Sequence, residues 1–167
     1  MGGDQEMIDR PRPDERETLV ALTEATSFFH PDEVEIVREM FDDFIAHPES
    51  DEYLWIVYRE REGGRPLGFA CYGPVSSAVG TYDLYWIVVH PQHQSKKIGS
   101  ALIQFVEKDL QARGARQLYI ETSDKPQYAP TRAFYERRGY TRAAHFPDYY
   151  DVGDGKVIYV KYFGKHQ

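Results

Sequence analysis

A single cysteine, Cys71, stands among the 167 residues of this chain, so an intrachain disulfide is excluded and a reducing compartment, the cytoplasm, is the expected setting. Long apolar runs are missing too. None approaches the ~20 residues a membrane-spanning helix needs, and the N-terminus is polar and charged where a signal peptide is apolar. Positive charge is in short supply: 20 Lys and Arg face 27 Asp and Glu, for a formal net charge of −7. That balance argues against a nucleic-acid partner, which needs a basic face to neutralise phosphates. It suits a cationic or small-molecule partner better, although net charge is first a solubility property. The phosphate loop Gly-x-x-x-x-Gly-Lys-Ser/Thr does not occur, which excludes the nucleotide hydrolases built on it. Repeats, low-complexity tracts and a linker are also lacking. Residues 1–167 are therefore expected to form one domain around one core, working as a monomer or homodimer.

Aromatic residues are plentiful, with 13 Tyr and 9 Phe, so rings are expected to line much of the core and any cleft. Residues 1–13 carry little pattern, although Met7-Ile8 can open a strand. Asp14 is placed to cap a helix reaching about Ser27, with Leu19, Val20 and Leu22 inward. Pro31 suits the first turn of a second helix, where Val34, Val37, Met40, Phe41, Phe44 and Ile45 recur at helical spacing. Strands are expected over 53–58, 67–72 and 82–89, the first two joined by Gly63-Gly64-Arg65-Pro66. A helix over 98–113 buries Leu102, Phe105, Val106 and Leu110, and Gly114 ends it. The strand over 117–122 should then lie parallel to 82–89, because a helix crosses between them. A short helix over 130–138 and strands over 140–145 and 156–163 complete an α+β fold with a single mixed, mostly antiparallel sheet. Cys71 falls within the apolar run Leu67-Gly68-Phe69-Ala70-Cys71-Tyr72, which reads as a small buried hydrophobe rather than a nucleophile.

The densest signal is the stretch Ile87-Val88-Val89-His90-Pro91-Gln92-His93-Gln94-Ser95-Lys96-Lys97-Ile98-Gly99-Ser100. An apolar strand ends in a short loop, and the loop runs into a helix start. Amide N–H groups without helical acceptors and the positive end of the helix dipole meet there, with Lys96 and Lys97 adding charge. Such a place can hold a pyrophosphate, or it can be a solvated basic loop. His90 and His93 have a spacing that metals use, but no third ligand is at hand, and no metal is expected.

Strand, His-Pro, Gln94-x-x-x-x-Gly99-Ser100 and an amphipathic helix resemble the acetyl-CoA motif of the Gcn5-related N-acetyltransferases. Downstream, Phe134-Tyr135-Glu136-Arg137-Arg138-Gly139-Tyr140 resembles the family's Phe-Tyr-Glu-x-x-Gly-Phe element. The resemblance implies splayed central parallel strands, with Ile87, Val88 and Val89 offering backbone groups to the pantetheine arm of acetyl-CoA. It implies that Gln94, Ser95, Lys96, Lys97, Ile98, Gly99 and Ser100 cradle the pyrophosphate. Lys97 stands where the family pattern has its first glycine, and negative φ is expected to be tolerated there. The implied reaction is direct acetyl transfer from acetyl-CoA to a primary amine of a small molecule or a peptide. A non-catalytic acyl-CoA-binding or sensor module on the same fold is the alternative.

An amine attacks a thioester only when neutral, so a base must take its proton and the leaving thiolate gains from a donor. By resemblance Tyr135 is the acid. Two carboxylates compete as base: Asp83, where the histone-acetylating branch places its glutamate, and Glu121, which resembles the glutamate of the ribosomal-protein-acetylating branch; a water relay or deprotonation by bulk solvent is the remaining route. Each stands in an apolar strand, where desolvation can raise its pKa toward a useful range. The acidic and aromatic run Pro147-Asp148-Tyr149-Tyr150-Asp151-Val152-Gly153-Asp154 is, by the resemblance, a hairpin loop bordering the acceptor, where Asp148, Tyr149 and Tyr150 can receive a cationic amine, or else it is a solvated turn. Phe29, between the first two helices, can wall the acceptor pocket or plug the core.

Overall fold

The computed structural model describes residues 7–164, the side chains of Ser95 and Lys96 excepted. Residues 1–6, within the weakly patterned stretch 1–13, and residues 165–167 lie outside the described residues. Seven strands are hydrogen-bonded in the order β1-β2-β3-β4-β5-β7-β6. They are β1 (Ile8–Asp9), β2 (Leu54–Arg59), β3 (Pro66–Pro74), β4 (Thr81–Val89), β5 (Gln117–Ser123), β6 (Thr141–Asp151) and β7 (Asp154–Tyr162). Among the described residues four α-helices accompany them: α1 (Arg16–Ala25), α2 (Pro31–Ala46), α3 (Ile98–Ala112) and α4 (Ala129–Arg137). The expected α+β class with one mixed sheet is what forms. β4 pairs with β5 in parallel, registered from Thr81↔Gln117 to Leu84↔Ile120.

The chain divides into two compact units, one running up to Pro74 and including Tyr85–Leu110, the other comprising Val75–Leu84 and the chain from Gln111 on. In the first unit, alternation along β2 and β3 sends side chains to two faces. Trp55, Val57, Phe69 and Cys71 meet Leu19, Leu22, Val37, Phe41 and Phe44 of α1 and α2, with Val88 of β4 joining them. Gly68 belongs to the opposite face, toward Ile98 and Leu102 of α3. Cys71 is fully buried, which pushes its thiol well up and suits a hydrophobe, not a nucleophile.

Two elements differ from the sequence expectation. Asp14 does not cap α1. It sits inside a 3₁₀ turn, Pro13–Glu15, and the Glu15 carboxylate accepts from the Arg12 amide at 2.7 Å. Glu15 is then drawn onto buried Arg59, which no local pattern reveals. The second difference is the acidic run at 148–151, expected as a loop. It is strand, because β6 continues through a bulge between Phe146 and Asp151 before the turn at Gly153.

In the second unit, β5 lies antiparallel to β7, and β7 to β6. Tyr135 of α4 packs on Tyr140 and Tyr159 with ring centres 5.9 and 5.8 Å away. At the end of α3, Gly114 takes φ 80°, a conformation glycine reaches without a Cβ penalty.

Candidate active site

The first unit contains the strand-loop-helix stretch. After Val89 the chain makes a 3₁₀ segment, Pro91–Lys96, with the His90 ring accepting from the Gln92 amide at 3.1 Å. The Gln94 side chain folds back and donates to the Val89 carbonyl at 3.3 Å, tying the loop to the strand end. Lys97, exposed, turns the chain into α3, and the helical bonding begins with Ala101 N to Lys97 O at 3.1 Å. The amides of Ile98, Gly99 and Ser100 therefore have no acceptor inside the helix. Three such donors at the start of a 15-residue helix, beside an exposed lysine, fit a pyrophosphate.

Lys97 corrects the sequence expectation. Its φ is 60° and ψ 22°, in the left-handed region, where negative φ was expected. A non-glycine residue there costs about 1–2 kcal/mol. The turn from the 3₁₀ segment into α3 needs that conformation, so the lysine occupies a glycine-type position.

Gly68 was not singled out from the sequence, yet it helps set the position of the strand end. A Cβ there would stand 2.9 Å from the Val88 carbonyl and 3.3 Å from both Ile98 and Leu102. A glycine inside an apolar strand is the signal of such a close backbone approach. Val88 is buried, while Ile87 and Val89 are half-buried. β4 runs on to Val89 beyond Leu84↔Ile120, the last registered pair with β5 among the described residues. Phe29 meets Trp86 edge to face at 5.4 Å and packs against the helix-side core, and the Trp86 indole donates to Met40 Sδ.

The second unit brings the two rival carboxylates together. Asp83 stands opposite Tyr119, two positions before Glu121 on β5, so all three project from one face. Asp83 is half-buried and makes no hydrogen bond among the described residues. Burial first, and then the Glu121 charge, push its carboxyl above the usual range, against the pull of Lys156. Both Glu121 oxygens are engaged: Oε2 accepts from the Tyr150 hydroxyl at 2.6 Å, and Oε1 lies 3.5 Å from Lys156 Nζ. Burial, and then this bond, push the Tyr150 phenol up. Tyr149 lies against Lys156, whereas Asp148, at φ 56°, accepts from the Gly153 amide at 2.8 Å and closes the hairpin turn. Lys156 was missed in the sequence. One lysine in a strand carries no signal until its cross-strand neighbours are known.

Tyr135 is 3% exposed, and burial pushes its phenol well up, so the hydroxyl keeps its proton at neutral pH. Its ring is part of an aromatic cluster, so packing and any proton donation use the same side chain. His90 and His93 lie with ring centres 5.2 Å apart. Among the described residues no group of three or more His, Cys, Asp or Glu could hold a metal ion, and no helix is long and apolar enough to cross a membrane.

The chain belongs to the acetyltransferase (GNAT) family, whose model matches residues 17–140. It is 30% identical over 133 residues to the mycothiol acetyltransferase of Clavibacter michiganensis subsp. michiganensis, a match covering 78% of this chain and 41% of that relative. A GNAT-family crystal structure from Desulfovibrio desulfuricans has 37% identity and a TM-score of 0.88, covering 93% of this chain and 97% of that one. The fold is also shared with the PaiA N-acetyltransferase of Thermoplasma acidophilum, solved in complex with coenzyme A, at a TM-score of 0.72 and 17% identity over 93% of this chain and 98% of that one.

Proposed function

We propose that this chain transfers the acetyl group of acetyl-CoA to a primary amine by direct attack in a ternary complex. The start of α3 carries this reading, since its free amides Ile98, Gly99 and Ser100 follow a glycine-type turn at Lys97. Gln94 through Ser100 would hold the pyrophosphate, with Ser95, Lys96 and Lys97 among them. The backbone of Ile87, Val88 and Val89 would bond the pantetheine amides, a role supported by the run of β4 past its last registered pair with β5.

Asp83 would take the ammonium proton. Its carboxyl is pushed up by burial and by Glu121, which makes it a stronger base than an ordinary aspartate, and no hydrogen bond occupies it among the described residues. The neutral amine then bonds to the thioester carbon, the C–S bond breaks as Tyr135 gives its proton to the departing thiolate, and the second proton shed by the new amide nitrogen restores the Tyr135 phenol. Glu121, Tyr149 and Tyr150 would meet the acceptor. Phe29 and Asp148 are supported instead as parts of the core and of the hairpin turn.

Calorimetric titration should show saturable acetyl-CoA binding, and an amine panel should show thioester turnover. Binding without turnover of any amine would leave the sensor reading in its place. Tyr135→Phe keeps the ring and loses the hydroxyl. It should lower kcat by about 10²–10⁴-fold while acetyl-CoA affinity stays. Equal loss of affinity and rate would mean that Tyr135 only packs.

A further inference from the structure

β5, β6 and β7 already hold an ammonium group. Lys156 Nζ lies 3.5 Å from Glu121 Oε1 and 4.4 Å from the centre of the Tyr149 ring, over its face. The Tyr150 hydroxyl donates to the other Glu121 oxygen, and its ring meets Tyr149 edge to face at 5.2 Å. A carboxylate beside an aromatic face recognises organic cations. The walls of this seat are open while its occupant is not: the Glu121 side chain is 53% exposed, that of Lys156 16%. A solute therefore reaches the walls with the lysine in the middle.

The surface beside the seat is aromatic. Phe146 and Tyr149 are 47% and 58% exposed, with ring centres 6.2 Å apart, and Tyr150 extends the row. Contiguous exposed rings of this kind mark a binding surface more often than scattered single ones do. Charge points the same way. Among the described residues Lys156 is the cation that acts on both Asp83 and Glu121, so one further cation would neutralise the group.

We infer that Glu121, Tyr149 and Tyr150 seat the ammonium of the acceptor, that Lys156 keeps this seat in the free protein and is displaced from it, and that the acceptor is a primary amine with an apolar or aromatic body. The inference rests on the acetyl-transfer reading. A zwitterionic amino acid is disfavoured, because its carboxylate would come up against Asp83 and Glu121. Lys156 thus acts as a specificity-determining residue, competing with every acceptor for the same carboxylate and ring.

The test compares phenethylamine with phenylalanine, two aromatic amines differing by a carboxylate, in the wild type and in Lys156→Met, Lys156→Gln and Lys156→Arg. The wild type should acetylate phenethylamine with the higher kcat/KM. Lys156→Met and Lys156→Gln should lower its KM about two- to fivefold, the factor by which an exposed ion pair of ordinary strength blocks the seat. Lys156→Arg, which keeps the cation, should retain the wild-type KM. The pH profile gives a second readout that a merely structural lysine would not move. Asp83 faces Glu121 and Tyr119 from β5 and Lys156 from β7, while Glu121 also faces Tyr150 from β6, on which Asp154 of β7 acts. Removing the lysine charge should shift the acidic limb of kcat/KM, which reports the free enzyme, to higher pH. Acetyl-CoA titration checks that each variant is folded. An unchanged or raised KM for phenethylamine in both neutral variants overturns the inference, as does a preference for phenylalanine or for acceptors lacking an apolar body. Those results leave acetyl transfer standing. Failure to turn over any amine overturns both.

Discussion

Asp83 and Glu121 put two like charges on adjacent strands, and a lone lysine does not balance them. Their surroundings differ. Glu121 has a hydroxyl on one oxygen and an ammonium near the other, whereas Asp83 is half-buried, makes no hydrogen bond among the described residues and feels the Lys156 charge only through space. Asp83→Asn should therefore lower kcat by about 10²–10³-fold and abolish the acidic limb of the rate profile, while Glu121→Gln should act chiefly on the acceptor KM. Stability should move the other way. The Asp83 carboxyl is raised in the folded state, so the unfolded chain releases this proton first as pH rises. Folding is then progressively penalised from the ordinary carboxylate range up through the raised value. At pH 7 the asparagine variant should melt at a higher temperature than the wild type. A lower melting temperature, or an unchanged rate profile, would remove Asp83 from the role of base.

At the scale of elements, the turn from the 3₁₀ segment into α3 decides how the amides of residues 98–100 are presented. That turn demands positive φ at Lys97, and the sequence supplies a residue that resists it. Lys97→Gly should stabilise the protein by about 1 kcal/mol in denaturant unfolding, and acetyl-CoA affinity should hold or rise. A severalfold loss of affinity in the same variant would instead make the Lys97 ammonium a phosphate ligand, retained despite the strain. The hairpin β6–β7 is the other element that matters. Its bulge, with Asp148 at φ 56° bonded to the Gly153 amide, brings Tyr149 and Tyr150 to Lys156 and Glu121. A run that looks like a polar loop thereby becomes one wall of the seat.

At the scale of the molecule, the first unit is held at one end by a buried ion network. Arg59 is 2% exposed and bonds Glu15 at 2.6 and 3.0 Å, Asp9 at 2.7 Å and the Gly64 carbonyl at 2.9 Å. It fastens β1 and the turn before α1 to the β2–β3 hairpin. Burial pushes the Glu15 carboxyl up, but the hydrogen bonds from Arg59 and the Arg12 amide, with both charges, leave it below the usual range. Its stabilising contribution is therefore present above the ordinary glutamate range and is lost as pH falls through the lowered value. Arg59→Met should cost about 3–5 kcal/mol near pH 7, because Glu15 stays buried without its partner. The deficit should shrink in acid as Glu15 takes up a proton. A loss of the same size at every pH would mean that the arginine contributes packing and not charge.

Periodicity determined the elements of this protein. Apolar stripes in α1, α2 and α3 and the alternating strands are local signals, and most ends fell within a few residues of the structure, with Gly114 ending α3 by a local backbone need. The family was legible for the same reason, since its two motifs are each contiguous in the chain. The left-handed Lys97 was not legible, because its conformation is imposed by the elements it joins against its own preference. Nor was the division between Asp83 and Glu121. Which of two strand carboxylates is hydrogen-bonded depends on Tyr150 and Lys156, residues 29 and 35 positions beyond Glu121, brought there by the β5–β7 and β6–β7 pairings and a bulge. Desolvation and charge act through space, so these assignments were left to the tertiary structure.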